Sequence, residues 1–79
     1  MVRTLVKELI DENNDNIKNV SKETGLTVST ITKWYDNTIT TYANTTLDKL
    51  MKYFNLSRVS QILFYIDESE AHYDFSVYD

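Results

Sequence analysis

Apolar residues recur at helical spacing along most of this chain, and polar stretches separate one series from the next. Five such series predict five short helices, over about residues 2–13, 17–24, 28–36, 46–54 and 58–66. The segment 36–44 is polar and rich in threonine and asparagine, and it is predicted to be a loop. No single apolar stripe can be buried alone, so the helices are expected to share one core. The predicted fold class is therefore all-α, a compact five-helix domain.

The ends of these helices depend on very few residue types, because the sequence has no proline and one glycine. Gly25 is predicted to end the second helix, since glycine adopts the left-handed conformation at little cost. Asn16 and Thr27 are predicted to cap the second and third helices through their side-chain oxygens. Thr45 followed by Asp48 resembles a capping box and predicts the start of the fourth helix.

The last part of the chain has a different pattern. Tyr73, Phe75 and Val77 alternate with polar residues, which is strand periodicity. Residues 67–79 hold five carboxylates and no lysine or arginine, whereas residues 1–66 hold eight basic and seven acidic residues. We therefore divide the chain into a domain over 1–66, of charge +1, and an acidic aromatic tail over 67–79, of charge −5, which is either a short β-strand or disordered. An isolated strand is unstable, so the tail is predicted to pair with a second copy of the chain or to lie on the domain, and these three side chains are predicted to contact the second copy or a partner protein.

Composition excludes several classes of function. A chain of 79 residues without cysteine, and with one histidine and one glycine, lacks the groups for a thiolate metal site, a histidine cluster or a phosphate-binding glycine loop. We therefore expect no enzyme, no metal or cofactor and no small-molecule ligand. No apolar run approaches the length of a membrane span and the early residues are acidic, so a cytoplasmic protein without a targeting peptide is expected. The net charge of −4 argues against nucleic acid, but residues 16–66 hold six basic and three acidic residues, a local excess of three positive charges.

Residues 16–37 predict the most informative unit, two short helices joined around Gly25. A short turn with glycine crosses two helices at a steep angle and leaves one face of the second helix exposed. Val20 and Ile31 are predicted to fill the inside of this unit. At 100° per residue, Ser29 and Lys33 then point outward on a short polar face.

This arrangement resembles the helix-turn-helix class of phage Cro proteins and phage repressors. The matching segments are Asn16-Ile17-Lys18-Asn19-Val20-Ser21, Gly25-Leu26-Thr27-Val28-Ser29-Thr30-Ile31-Thr32-Lys33-Trp34 and Asp36-Asn37. The resemblance extends over about residues 3–66. The chain departs from the family at Tyr35-Asp36-Asn37, where the family has Glu-Asn-Gly, and in the following loop 38–44, which is basic in many members and uncharged here.

The resemblance implies a sequence-specific transcription regulator of phage or prophage type, a dimer that binds double-stranded DNA with its third helix in the major groove. The base contacts it implies are Thr27, Val28, Ser29, Thr32 and Lys33. The phosphate contacts it implies are Asn16, Lys18, Thr40, Thr41, Tyr42 and Asn44. The uncharged loop and the acidic tail leave an alternative open, a protein-interaction module on the same fold that modulates another regulator and binds DNA weakly or not at all.

Overall fold

The computed structural model describes residues 1–67. Its elements are β1 (Val2–Thr4), α1 (Val6–Glu12), α2 (Ile17–Thr24), α3 (Val28–Tyr35), α4 (Asn44–Tyr53), a single 3₁₀ turn (Val59–Gln61) and β2 (Leu63–Tyr65). The fold is mostly helical, as predicted, but the count of five helices is wrong, since this part of the chain holds four α-helices and a two-stranded antiparallel sheet. The predicted contacts of Tyr73, Phe75 and Val77 lie outside the described residues.

The predicted first helix over 2–13 is a strand followed by a shorter helix. Thr4 is the junction, because its hydroxyl donates to the Trp34 carbonyl at 2.6 Å and accepts from the Val6 N–H at 3.3 Å. The Leu5 N–H donates to the Ile62 carbonyl at 2.8 Å. Val2 is the first residue of the predicted helix, yet it lies in β1 and its side chain is 42% exposed. These long-range bonds hold the first residues in an extended conformation.

The predicted fifth helix over 58–66 is also wrong. Only one 3₁₀ turn forms there, and the Gln61 side-chain oxygen closes it by accepting from the N–H groups of Ser57 and Arg58, both at 2.8 Å. The chain then extends into β2, which pairs with β1. Among the apolar residues of the predicted helix, Ile62 is fully buried but Val59 is 50% exposed. The partner strand lies about sixty residues earlier in the chain, so no local pattern indicates it.

Two of the three predicted N-terminal helix caps are present in the structure. The Asn16 side chain accepts from the Asn19 N–H at 2.8 Å and caps α2, and the Thr27 hydroxyl accepts from the Thr30 N–H at 3.2 Å and caps α3. The predicted capping box at Thr45 and Asp48 is wrong. Helix α4 begins directly after Ala43 without a side-chain cap.

One buried cluster joins the four α-helices, and Leu63 of β2 packs against it. Its members have at most 2% of their surface exposed, and they are Val6, Ile10, Val20, Ile31, Trp34, Leu50 and Ile62. Trp34 is the largest of them, and the ring of Tyr42 packs edge-on against it with centroids 5.4 Å apart. Every helix contributes to this cluster, which fixes the orientation of α3 relative to α2.

Candidate nucleic-acid interface

The turn between α2 and α3 is held by backbone geometry and by one serine. Gly25 has φ +78° and donates its N–H to the Ser21 carbonyl at 2.9 Å, which ends α2. The Ser21 hydroxyl donates to the Leu26 carbonyl at 2.5 Å. Val20 and Ile31 are fully buried beneath this turn. The opposite side of α3 is consequently exposed.

The exposed side of α3 carries the residues predicted to contact bases. Val28, Ser29 and Lys33 are exposed, Val28 to 49%. The hydroxyls of Thr27 and Thr32 are already engaged, since Thr27 caps α3 and Thr32 donates to the Val28 carbonyl at 2.8 Å. Ser29 and Lys33 therefore present the available polar groups of this face, and Val28 presents an apolar one.

An open groove runs between α2 and the start of α3, with a volume of about 500 Å³. Two exposed lysines, Lys18 and Lys22, line it together with Asn16, Asn19, Ser21 and Val28. The structure thus brings the predicted phosphate contacts Asn16 and Lys18 together with the predicted base contact Val28. Sequence reasoning missed Lys22, although its spacing of four residues from Lys18 places both on one side of α2.

The N-terminus of α2 already has a negative charge beside it. The Asp15 carboxylate accepts from the Asn16 N–H at 2.8 Å and from the Asn19 side-chain amide at 2.9 Å, and Tyr53 of α4 donates its hydroxyl to the same carboxylate. The bond from Tyr53 lowers the pKa of Asp15 below its ordinary value, and the same bond raises the pKa of Tyr53. Sequence reasoning also missed this role of Asp15. The carboxylate compensates the positive end of the helix dipole, where a phosphate would otherwise bind.

The remaining predicted phosphate contacts lie in the segment between α3 and α4. Thr40 and Thr41 are exposed in the loop, and Asn44 is the exposed first residue of α4. Tyr42 is half-buried, and its hydroxyl donates to the Val2 carbonyl at 3.2 Å. This tyrosine therefore supports the β1 strand, and its hydroxyl hydrogen is already donated within the protein.

Residues 1–67 hold neither a metal-binding cluster nor a membrane-spanning helix. No group of histidine, cysteine, aspartate or glutamate side chains in that range could hold a metal ion. No helix in the same range has the length and apolar character needed to cross a membrane.

Comparison with known proteins agrees with this geometry. The model of the Cro/C1-type helix-turn-helix DNA-binding domain matches residues 6–68. The fold is similar to the crystal structure of a protein from Bacteroides fragilis, itself provisionally described as DNA-binding, with a TM-score of 0.68 and 19% identity over 81% of this chain and 100% of that chain. No curated protein matches the sequence. The family match covers most of the chain, and the chain belongs to the family of Cro/C1-type helix-turn-helix DNA-binding domains.

Proposed function

We propose that this protein is a sequence-specific transcription regulator of phage or prophage type, without enzymatic activity, which binds a two-fold site in double-stranded DNA as a dimer and reads the major groove with α3. Membership of the Cro/C1-type family supports DNA binding. The observation that supports the groove assignment is the exposed side of α3, which carries Val28, Ser29 and Lys33, and Val28 also lines the lysine-lined groove of α2.

Each residue on this face has a distinct capacity for base contact. Lys33 can donate to the O6 and N7 atoms of guanine, and Ser29 can donate to or accept from a base edge. Val28 can pack against a thymine methyl group. The methyl groups of Thr27 and Thr32 can make similar apolar contacts, because their hydroxyls are bonded within the protein. Specificity would then rest on two polar and three apolar contacts.

Phosphate binding would be shared between charged and neutral groups. Lys18 and Lys22 supply the positive charges, and the Asn16 side chain lines the same groove. Thr40, Thr41 and Asn44 can donate neutral hydrogen bonds, which position a protein on DNA without releasing counterions. Tyr42 would first have to leave the Val2 carbonyl. We therefore expect a single protomer to bind DNA weakly and a dimer to bind it more tightly.

One specific observation favours the alternative, a protein-interaction module that modulates another regulator. Asp15 holds a carboxylate at the start of α2, and Asp36 adds another at the exposed end of α3. Both would repel phosphate if this side of the molecule faced DNA. A partner protein with basic residues would instead be attracted to them.

A salt titration of binding to duplex DNA tests the proposed function. The logarithm of the binding constant should fall linearly with the logarithm of salt concentration, and Lys18→Ala with Lys22→Ala should reduce that slope by about two for each bound protomer. The matched control is Lys49→Ala with Lys52→Ala, which removes the same charge from α4 outside the groove and should leave the slope nearly unchanged. Absence of binding at low salt would favour the protein-interaction module.

A further inference from the structure

The β1–β2 sheet has two outer edges, and the bonding of the strands defines which groups they present. The pairing places Val2 opposite Tyr65, Arg3 opposite Phe64 and Thr4 opposite Leu63. Bonds at 2.8 Å from Leu5 to Ile62 and from Ile66 to Met1 flank these pairs. Bonded and non-bonded pairs alternate along an antiparallel ladder, so Arg3 and Phe64 are the bonded pair. The backbone N–H and C=O groups of Leu63 and Tyr65 consequently point away from β1.

The outer edge of β1 is covered by side chains. The Asn37 amide accepts from the Thr4 N–H at 2.6 Å and donates to the Thr4 carbonyl at 3.3 Å, as a neighbouring strand would. The Tyr42 hydroxyl donates to the Val2 carbonyl at 3.2 Å. This edge is therefore closed to another strand.

The outer edge of β2 is different. Within residues 1–67, no group bonds the outward N–H and C=O of Leu63 or Tyr65. Phe64 is 37% exposed and Tyr65 is 70% exposed. The strand Leu63–Tyr65 has three residues, and it carries neither a charged residue nor a proline, two of the features that protect an exposed edge from pairing. The surface is thus both apolar and able to form a backbone ladder.

We propose that β2 pairs antiparallel with β2 of a second copy of this chain, so that two protomers form a continuous four-stranded sheet. The inference deepens the proposed function, because it rests on the dimer and locates its interface. Centred on Phe64, the pairing sets Leu63 of each protomer opposite Tyr65 of the other, and all four outward groups on each strand find partners. The two Phe64 side chains meet at the non-bonded position, where cross-strand side chains are closest.

A second copy suits this edge because the pairing is self-complementary. A two-fold interface requires the same patch to match itself, and a short uncharged strand with an aromatic residue at its centre does so without like-charge repulsion. The two protomers would then be related by the two-fold symmetry that a palindromic DNA site requires. A strand formed by the tail of the same chain, around Phe75, would compete for the outer edge of β2. The experiment therefore has to distinguish this strand from a second copy of the chain.

Amide hydrogen exchange of the full chain, without DNA, tests the inference directly. The N–H groups of Leu63 and Tyr65 should be exchange-protected at high protein concentration and lose that protection on dilution. The Phe64 and Ile66 amides bond to β1, so they serve as internal references that remain protected throughout. Rapid exchange of Leu63 and Tyr65 at every concentration would overturn the inference. Protection that is independent of concentration would also overturn it, since a segment of the same chain would then cover β2.

A pair of substitutions gives a second measurement by sedimentation. Tyr65→Pro removes an outward N–H and keeps the bonds to β1, so the loss of one bond from each protomer should weaken the dimer about thirtyfold. Tyr65→Thr removes the ring and keeps the N–H, and it should weaken the dimer much less. Phe75→Asp should leave the dimer intact. Equal dimerisation of the proline and threonine variants, or loss of the dimer with Phe75→Asp, would refute the β2 interface. The DNA titration remains a separate measurement, so the proposed DNA binding can succeed while this interface fails.

Discussion

Asparagine does in this chain what glycine does in most helical proteins. An asparagine with positive φ follows each of three helices: Asn14 at 51° follows α1, Asn37 at 59° follows α3 and Asn55 at 56° follows α4. The remaining helix, α2, ends at Gly25, which has φ 78°. Asparagine tolerates the left-handed region better than other residues that carry a Cβ. Asn37 has a second task, because its amide closes the outer edge of β1 through Thr4. Asparagine is therefore expected to contribute differently to stability at different helix ends.

This difference predicts unequal effects of the same substitution. Asn37→Gly keeps the backbone conformation but removes both bonds to Thr4, and we expect a loss of about 1–2 kcal/mol in the free energy of unfolding. Asn55→Gly also keeps the conformation, and its side chain makes no hydrogen bond within residues 1–67, so it should be nearly neutral. Chemical denaturation measures both. Equal stability of the two variants would mean that the Asn37 amide does not support β1.

Gly25 offers a clean measure of backbone strain. A Cβ at this position would meet nothing within 4 Å, so any cost of substitution comes from φ and not from a clash. We expect Gly25→Val to destabilise the protein by about 1–2 kcal/mol, because β-branched residues fit the left-handed region poorly. Gly25→Asn is the matched control and should cost less. A thermal midpoint for the valine variant within about two degrees of the original would contradict this account of the turn.

At the scale of elements, local signals predicted local structure and failed where pairing is distant. Helices α2 and α3 follow from their caps Asn16 and Thr27 and from Gly25, all of which act within a few residues. β1 and β2 carry apolar residues at spacings that also suit a helix, and only their mutual pairing decides between the two. The exposed positions Ser29 and Lys33 were predictable from helical geometry. The carboxylate of Asp15 was not, because its role depends on a hydroxyl from another helix.

The bond from Tyr53 to Asp15 ties α4 to the start of α2 and predicts a pH-dependent stability. The pKa of Asp15 is lowered by folding, so its contribution is present above about pH 4 and is lost as the pH falls through the folded-state pKa. The pKa of Tyr53 is raised, so its contribution is present below about pH 10 and is lost as the pH rises through the folded-state pKa. The cost of Tyr53→Phe should therefore be greatest near neutral pH.

Denaturation of the original and the Tyr53→Phe chain at acidic, neutral and alkaline pH measures this difference. At neutral pH we expect at most about 1 kcal/mol, because solvent partly screens the bond. Tyr42→Phe is the control, since that hydroxyl bonds a backbone carbonyl and not a carboxylate. Its cost should be the same at acidic and neutral pH. A cost of Tyr53→Phe that did not shrink in acid would show that Asp15 contributes no charge to the bond.

The polar residues on the exposed side of α3 are predicted to determine DNA specificity. Ser29→Ala with Lys33→Ala should reduce the preference for a selected binding site over random DNA by about 1–3 kcal/mol for each base contact that the substitutions remove. Helicity should be unchanged, because neither side chain bonds within residues 1–67. Lys52→Ala is the control, since its exposed ammonium pairs only with Asp48 at 3.9 Å on α4 in that range. Unchanged specificity in the double variant would refute the assignment of α3 to the major groove.

Across the whole molecule, charge is distributed very unevenly. Residues 1–67 hold eight basic and eight acidic residues, so the net charge of −4 arises entirely from the carboxylates of residues 68–79. Lys18, Lys22 and Lys33 give α2 and α3 a positive surface that DNA can approach. A negatively charged segment of the same chain competes with phosphate for such a surface, over a distance set by the ionic strength. The tail should therefore weaken DNA binding most at low salt.

Neutralising the tail tests this competition. Glu68→Gln, Glu70→Gln and Asp74→Asn together change the net charge from −4 to −1. We expect this variant to bind random duplex DNA more tightly at low salt, with the gain disappearing near 1 M salt, where the Debye length is about 3 Å. The control is Tyr73→Ser with Phe75→Ser, which alters the same segment and keeps its charge, and it should bind as the original chain does. If the aromatic substitutions tightened binding and the charge substitutions did not, the tail would act through apolar contacts, because the side chains removed in that variant carry no charge.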